Sequence, residues 1–194
     1  MHYLLFNICD CCILQAYGQA GTGKTRLVQG TSLDAGLLPR ALAELFALRQ
    51  SQHLVMSMSF VEVCGSSVRD MLDARCLEAA GIDAAHVVTT SMDSYPVHEV
   101  LALHRVKSFA LLHEVLARRT PSSAIDKWHF IACIRVERAH EHKVSTLVIA
   151  DLAGTVEVDA SEKRDSFKAG VASNSNLVCA YTYVLHQMLR LAEY

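Results

Sequence analysis

The sequence is short of net charge and proline, and it has no long apolar run. Each shortage excludes something. Eighteen Lys and Arg stand against 20 Asp and Glu, a formal net charge of −2, so no overall basic field draws the chain to nucleic acid. Three prolines in 194 residues, with no repeat and no low-complexity stretch, leave no linker that would divide the chain. No segment approaches the ~18 continuous apolar residues of a membrane span. Met1–Ile8 is apolar, but it lacks a basic leader and is followed by Asp10, so it makes a poor signal peptide. The seven cysteines are odd in number and lack paired C-x-x-C motifs, which argues against a disulfide framework or a zinc site. Reduced, mostly buried thiols in the cytoplasm are expected instead. No nucleic-acid partner and no membrane partner are predicted.

What is present is globular. Hydrophobic residues make up 52% and charged residues 20%, enough for one domain with a sizeable core.

The most informative stretch is Tyr17–Thr25, Y-G-Q-A-G-T-G-K-T. Gly18, Gly23, Lys24 and Thr25 fill every specified position of the phosphate-cradling pattern G-x-x-x-x-G-K-[ST]. The glycines let the backbone curl where a Cβ would collide. Successive N–H groups of Gly18, Gln19, Ala20, Gly21, Thr22 and Gly23 can then form an anion nest. Lys24 brings positive charge to the terminal phosphates, and the Thr25 hydroxyl is an oxygen ligand suited to Mg²⁺. Cys12–Tyr17 before it reads as a buried strand, and Lys24–Gln29 after it as a helix whose N-terminus adds its dipole.

Further along, Pro39 leads into a helix over Ala41–Gln50, at a position where a missing N–H costs nothing. His53–Val63 alternates as a strand, Val55, Ser57 and Ser59 against Met56, Met58 and Phe60, with one face more buried than the other. Val68–Leu72 reads as a helical turn or strand edge, and Val87–Thr90 as an edge strand. Pro96–Arg119 carries a broad apolar face and is predicted to be one long helix. Trp128–Val136 and Val144–Asp151 read as strands joined by a charged turn, and the second ends in a carboxylate. Ala153–Gly170 reads as a loop and Val171–Glu193 as a last helix. The alternation predicts an α/β fold with a central, mostly parallel sheet flanked by helices. Ligands in such sheets sit at the carboxyl ends of the strands. Asp151 and Thr25 together make the predicted Mg²⁺ site.

Several stretches resemble one family in order. Ala16–Thr25 resembles the kinesin motor signature A-Y-G-Q-T-G-S-G-K-T. Gly36–Phe46 resembles its G-I-I-P-R-A-x-x-x-L-F segment, and Ser57–Leu72 its strand bearing E-Φ-Y-N-E, where Φ is apolar. Asp151-Leu152-Ala153-Gly154 matches the start of its second switch, and Lys168–Gly170 with Asn174–Leu177 the entry to its track-contacting helix. The resemblance implies a P-loop nucleotide-binding fold, with residues 1–194 a partial kinesin-like motor domain. It implies ATP with Mg²⁺ on Gly18–Thr25 and Gly154 N–H sensing the γ-phosphate. It assigns the chemistry to Lys24, Thr25, Asp151 and Gly154, and the track to microtubules. It further implies a place in the cytoplasm and cytoskeleton, and homodimerisation through regions outside this chain.

The departures from the family carry their own expectation. Aligned on His129, the first switch reads S-S-A-I-D-K-W-H, with Lys127 where the family has arginine. Val156 stands where the second switch has glutamate. Lysine lacks arginine's planar fork, and valine accepts nothing, so weak or absent hydrolysis is predicted. The rival reading is a non-catalytic motor head that binds tubulin or another protein. A third is a different loop-containing ATPase or GTPase, although no clear N-K-x-D motif is present. His129 reads as a structural histidine or a switch residue, the structural reading being favoured, and His140-Glu141-His142 as a solvated turn rather than a metal site.

Overall fold

The computed structural model describes residues 11–64, 67–73, 87–90, 103–106, 112, 114–116, 119, 128–138, 140–141 and 143–155. Strand β1 is Cys11–Ala16, helix α1 Lys24–Gln29 and helix α2 Leu37–Ser51. Strands β2 Leu54–Cys64, β3 Ser67–Asp70, β4 Val87–Thr90 and β5 Leu103–Val106 follow. β6 is His129–Arg138 and β7 Lys143–Asp151.

The strands form one sheet in the order β1-β7-β6-β2-β5-β4, with β3 paired to β2. This sheet is mixed, not mostly parallel. Only β1 and β7 run parallel, and the other described pairs are antiparallel. Chain length between strands is the reason. The connections from β2 to β3 and from β6 to β7 are too short for a crossover, which a parallel pair requires. β4 lies at the end of the strand order, as its short β-branched sequence predicted.

The stretch predicted as one helix over residues 96–119 is a second correction. Leu103–Val106 is a strand that pairs with both β2 and β4. The helical spacing of its apolar residues is overridden by sheet pairing. Residues 112 and 114–116 are helical. Helix α2 begins earlier than expected, at Leu37. Pro39 therefore lies in its first turn, where its missing N–H has no intrahelical acceptor to lose. The elements expected over residues 1–9, 120–127 and 171–193 lie outside the described residues.

Among the described residues, two apolar clusters flank the sheet. Leu54, Met56, Met58 and Phe60 of β2 join Phe130, Ala132 and Ile134 of β6 and Leu42 and Leu45 of α2 on one face. Val61, Val63, Ile131, Val148, Ala150 and Leu152 form the other. The alternation of β2 thus divides its side chains between two cores, and its second half is buried on both faces. The described cysteines, Cys11, Cys12, Cys64 and Cys133, lie in partly buried positions. Burial pushes the Cys133 thiol up to about 12, helped by Cys11 and opposed by Arg135. No described helix is long and apolar enough to cross a membrane.

Candidate functional site

The parallel pairing of β1 with β7 builds the site. Ala16 lies opposite Asp151, so the loop after β1 and the loop after β7 leave the sheet side by side. Leu152 N–H then donates to Ala16 O at 3.2 Å and Thr155 N–H to Gly18 O at 3.2 Å. Between the loops lies a cavity of about 380 Å³, lined by Ala20, Gly21, Gly23, Lys24, Thr25, Arg119, Trp128, Asp151, Leu152, Ala153 and Gly154.

The loop after β1 has the shape its glycines allow. Gly23 takes a φ of 86°, a left-handed conformation that an L side chain resists, and its carbonyl accepts the Leu27 N–H at 2.9 Å to start α1. The Thr22 hydroxyl donates to Gln19 O at 2.9 Å. Lys24 Nζ donates to Gly18 O at 2.9 Å and also to Gln19 O. Gly18, Gln19 and Thr22 therefore shape the loop and tether its ammonium, while Ala20, Gly21, Gly23, Lys24 and Thr25 line the cavity.

The loop after β7 is held against the first one. A Cβ on Gly154 would lie 2.6 Å from both Cα and N of Ala20, which only glycine avoids. Three of its four leading amides are engaged: Leu152 on Ala16 O, Ala153 on His129 Nδ1 at 3.1 Å, and Thr155 on Gly18 O. The Gly154 N–H has no acceptor among the described residues. His129 is fully buried, and its pKa is lowered to about 4 by burial, against the pull of the Asp151 charge. It is therefore neutral near pH 7. Because Nδ1 accepts, the proton sits on Nε2, which has no acceptor among the described residues. The histidine predicted to be structural positions the second loop.

Asp151, Phe130, Glu62 and Arg69 stand directly opposite one another across β7, β6, β2 and β3. Directly opposed residues share a face. Arg119 lies over that row, with its guanidinium carbon 4.4 Å from the Phe130 ring centre. Arg119 Nη1 bonds Asp151 Oδ2 at 2.6 Å, and its Nε is 3.8 Å from Glu62 Oε1. Arg69 pairs with Glu62 and stands over Trp128, 5.7 Å from its ring centre. Glu62 is fully buried and Asp151 nearly so.

Sequence reasoning did not find Arg119, Glu62 or Arg69. One signal was available. Glu62 is a lone carboxylate in an apolar strand, and a buried charge requires a cation. Nothing local says which cation.

Thr25 and Asp151 bring a hydroxyl and a carboxylate to one cavity, and these are the oxygen donors that could hold a hard divalent cation. Among the described residues no group of three or more His, Cys, Asp or Glu could hold a metal. His140 instead meets His53 ring edge to face, with centroids 5.8 Å apart.

A family model described as kinesin motor domain matches residues 4–188. Human StAR-related lipid transfer protein 9 is 29% identical over 193 residues, covering 89% of this chain and 4% of that protein. Kinesin-like protein Klp98A of Drosophila melanogaster is 30% identical over 184 residues, covering 84% of this chain and 14% of its own length. Among solved structures, the Drosophila kinesin Kin10/NOD in complex with manganese and ADP is similar at a TM-score of 0.50 and 25% identity, over 76% of this chain and 49% of that one. The same motor has been docked with bovine tubulin into a map of its nucleotide-free microtubule complex. The chain thus spans about half of that solved motor and a small part of the curated relatives.

Proposed function

The chain belongs to the kinesin motor-domain family, and on that footing we propose that it binds ATP with Mg²⁺ between the loops after β1 and β7 and engages microtubules. One observation carries the reading: the parallel β1/β7 register brings Lys24, Thr25, Asp151 and Gly154 to one cavity. In this reading Lys24 exchanges the carbonyls of Gly18 and Gln19 for phosphate oxygens. Thr25 and Asp151 hold the metal, directly or through water. The Gly154 N–H donates to the terminal phosphate. Bound Mg²⁺ would neutralise phosphate charge. The manganese and ADP of Kin10/NOD support a divalent cation and adenine nucleotide here, and its docked microtubule complex supports tubulin as the track. A cytoskeletal place in the cytoplasm follows from the same reading.

The test is nucleotide affinity in Mg²⁺ buffer, by calorimetry or a fluorescent ADP. Lys24→Ala should weaken binding about ten- to a hundred-fold, the worth of a charge-assisted hydrogen bond. A wild-type protein with no affinity rejects the site.

A second reading is favoured by Lys127 and Val156, which replace the arginine and glutamate of the family's switches. It is a motor head that binds its track without turnover. Microtubule co-sedimentation that ignores nucleotide, with no phosphate release, selects it.

A further inference from the structure

Arg119 is positioned to hold either of two buried acids. Asp151 and Glu62 flank Phe130 on neighbouring strands, about 10 Å apart at the backbone by strand spacing. Arg119 lies over the ring between them. Its charge-assisted bond goes to Asp151, through Nη1 at 2.6 Å. The 3.8 Å from Nε to Glu62 is too long for a hydrogen bond, and Nε has no acceptor among the described residues. A small shift of the guanidinium toward Glu62 gives Nε its bond and releases Asp151 Oδ2. The Phe130 face supports the cation in both positions. Glu62 stays ion-paired throughout, because Arg69 holds it from β3.

Asp151 also faces the cavity with Thr25. A guanidinium and a divalent cation on one carboxylate repel each other, and the cost is large where the acid is nearly buried. We infer that Arg119 is a positioning residue that exchanges Asp151 for Glu62 when a divalent cation enters the cup, and so sets the metal dependence of nucleotide binding. The inference rests on the nucleotide reading above. It adds a coupling that reading does not require: metal at the cup is sensed by the β2–β3 hairpin through Glu62 and Arg69.

The experiment compares ADP affinity with Mg²⁺ and with chelator in wild type, Arg119→Gln and Glu62→Gln, with circular dichroism to verify folding. The readout is the ratio of the two dissociation constants, not turnover. Arg119→Gln removes the competitor for Asp151, so the advantage given by Mg²⁺ should grow about ten-fold. Glu62→Gln removes the alternative acid and leaves Arg119 on Asp151, so that advantage should shrink by a similar factor. A purely structural pair of residues would move both ratios little, or in one direction. Ratios within about two-fold of wild type in both variants, or shifts of the same sign, overturn the exchange. If one variant does not fold, the sign of the other decides. Wild type that binds no ADP overturns the nucleotide reading and this inference together. Wild type that binds ADP, with unmoved ratios in the variants, overturns this inference alone.

Discussion

Acidification from pH 7 to pH 5 should destabilise the protein by about 2 kcal/mol through His129 alone. The side chain is fully buried, with its pKa lowered from 6.5 to about 4. Burial is the main cause, and the Asp151 charge only partly offsets it. The unfolded chain takes up the proton near pH 6.5, while the folded chain refuses it until about pH 4. Below pH 6.5 the unfolded state therefore binds more protons, and stability falls as pH falls, by about 1.4 kcal/mol per unit, until the folded histidine also titrates. Protonation would also put a donor on Nδ1, where Ala153 N–H already donates, and so loosen the loop carrying Gly154. The assay is urea unfolding at half-unit pH steps, in wild type and His129→Asn. Asparagine keeps an acceptor for Ala153 N–H but does not titrate. Its absolute stability will be lower, because the ring leaves a cavity. The informative quantity is the difference in slope between the two proteins. Parallel stability curves from pH 7 to pH 5 would show that His129 carries no burial penalty, and the reasoning would fail.

Other outcomes follow from the same contacts. Gly154→Ala places a Cβ 2.6 Å from the Ala20 backbone, so the two loops must part. Nucleotide affinity measured by calorimetry should drop about ten-fold while the circular dichroism spectrum is retained. Phe60 is fully buried and stacks on Phe130, with ring centres 6.1 Å apart. Phe60→Ala should cost about 3–5 kcal/mol in urea unfolding. Phosphate release by wild type should stay near background even where ADP binds, given Lys127 and Val156, and microtubules should not raise it.

The residues that build the loop after β1 were legible because their pattern is local. Gly18, Gly23, Lys24 and Thr25 lie within eight consecutive residues, and a glycine-rich loop needs no distant residue to declare itself. Strands β1, β2, β6 and β7 were legible for the same reason, since alternation or a continuous apolar run is written along each. Asp151 could be seen as a carboxylate closing an apolar strand. Local pattern fails at Leu103–Val106. Four residues carry too little periodicity to choose between helix and strand, and the pairing with β2 and β4 makes the choice.

Which atoms could meet a phosphate and a cation was therefore written in the chain order alone, because those groups come in one short motif and one strand end. That they meet each other is a consequence of the folded sheet. The parallel β1/β7 register sets Asp151 beside the first loop, and the antiparallel hairpins align Asp151, Phe130, Glu62 and Arg69 beneath Arg119. Strand register and the pairing of buried charges depend on chain segments far apart in sequence, so no local pattern encodes them.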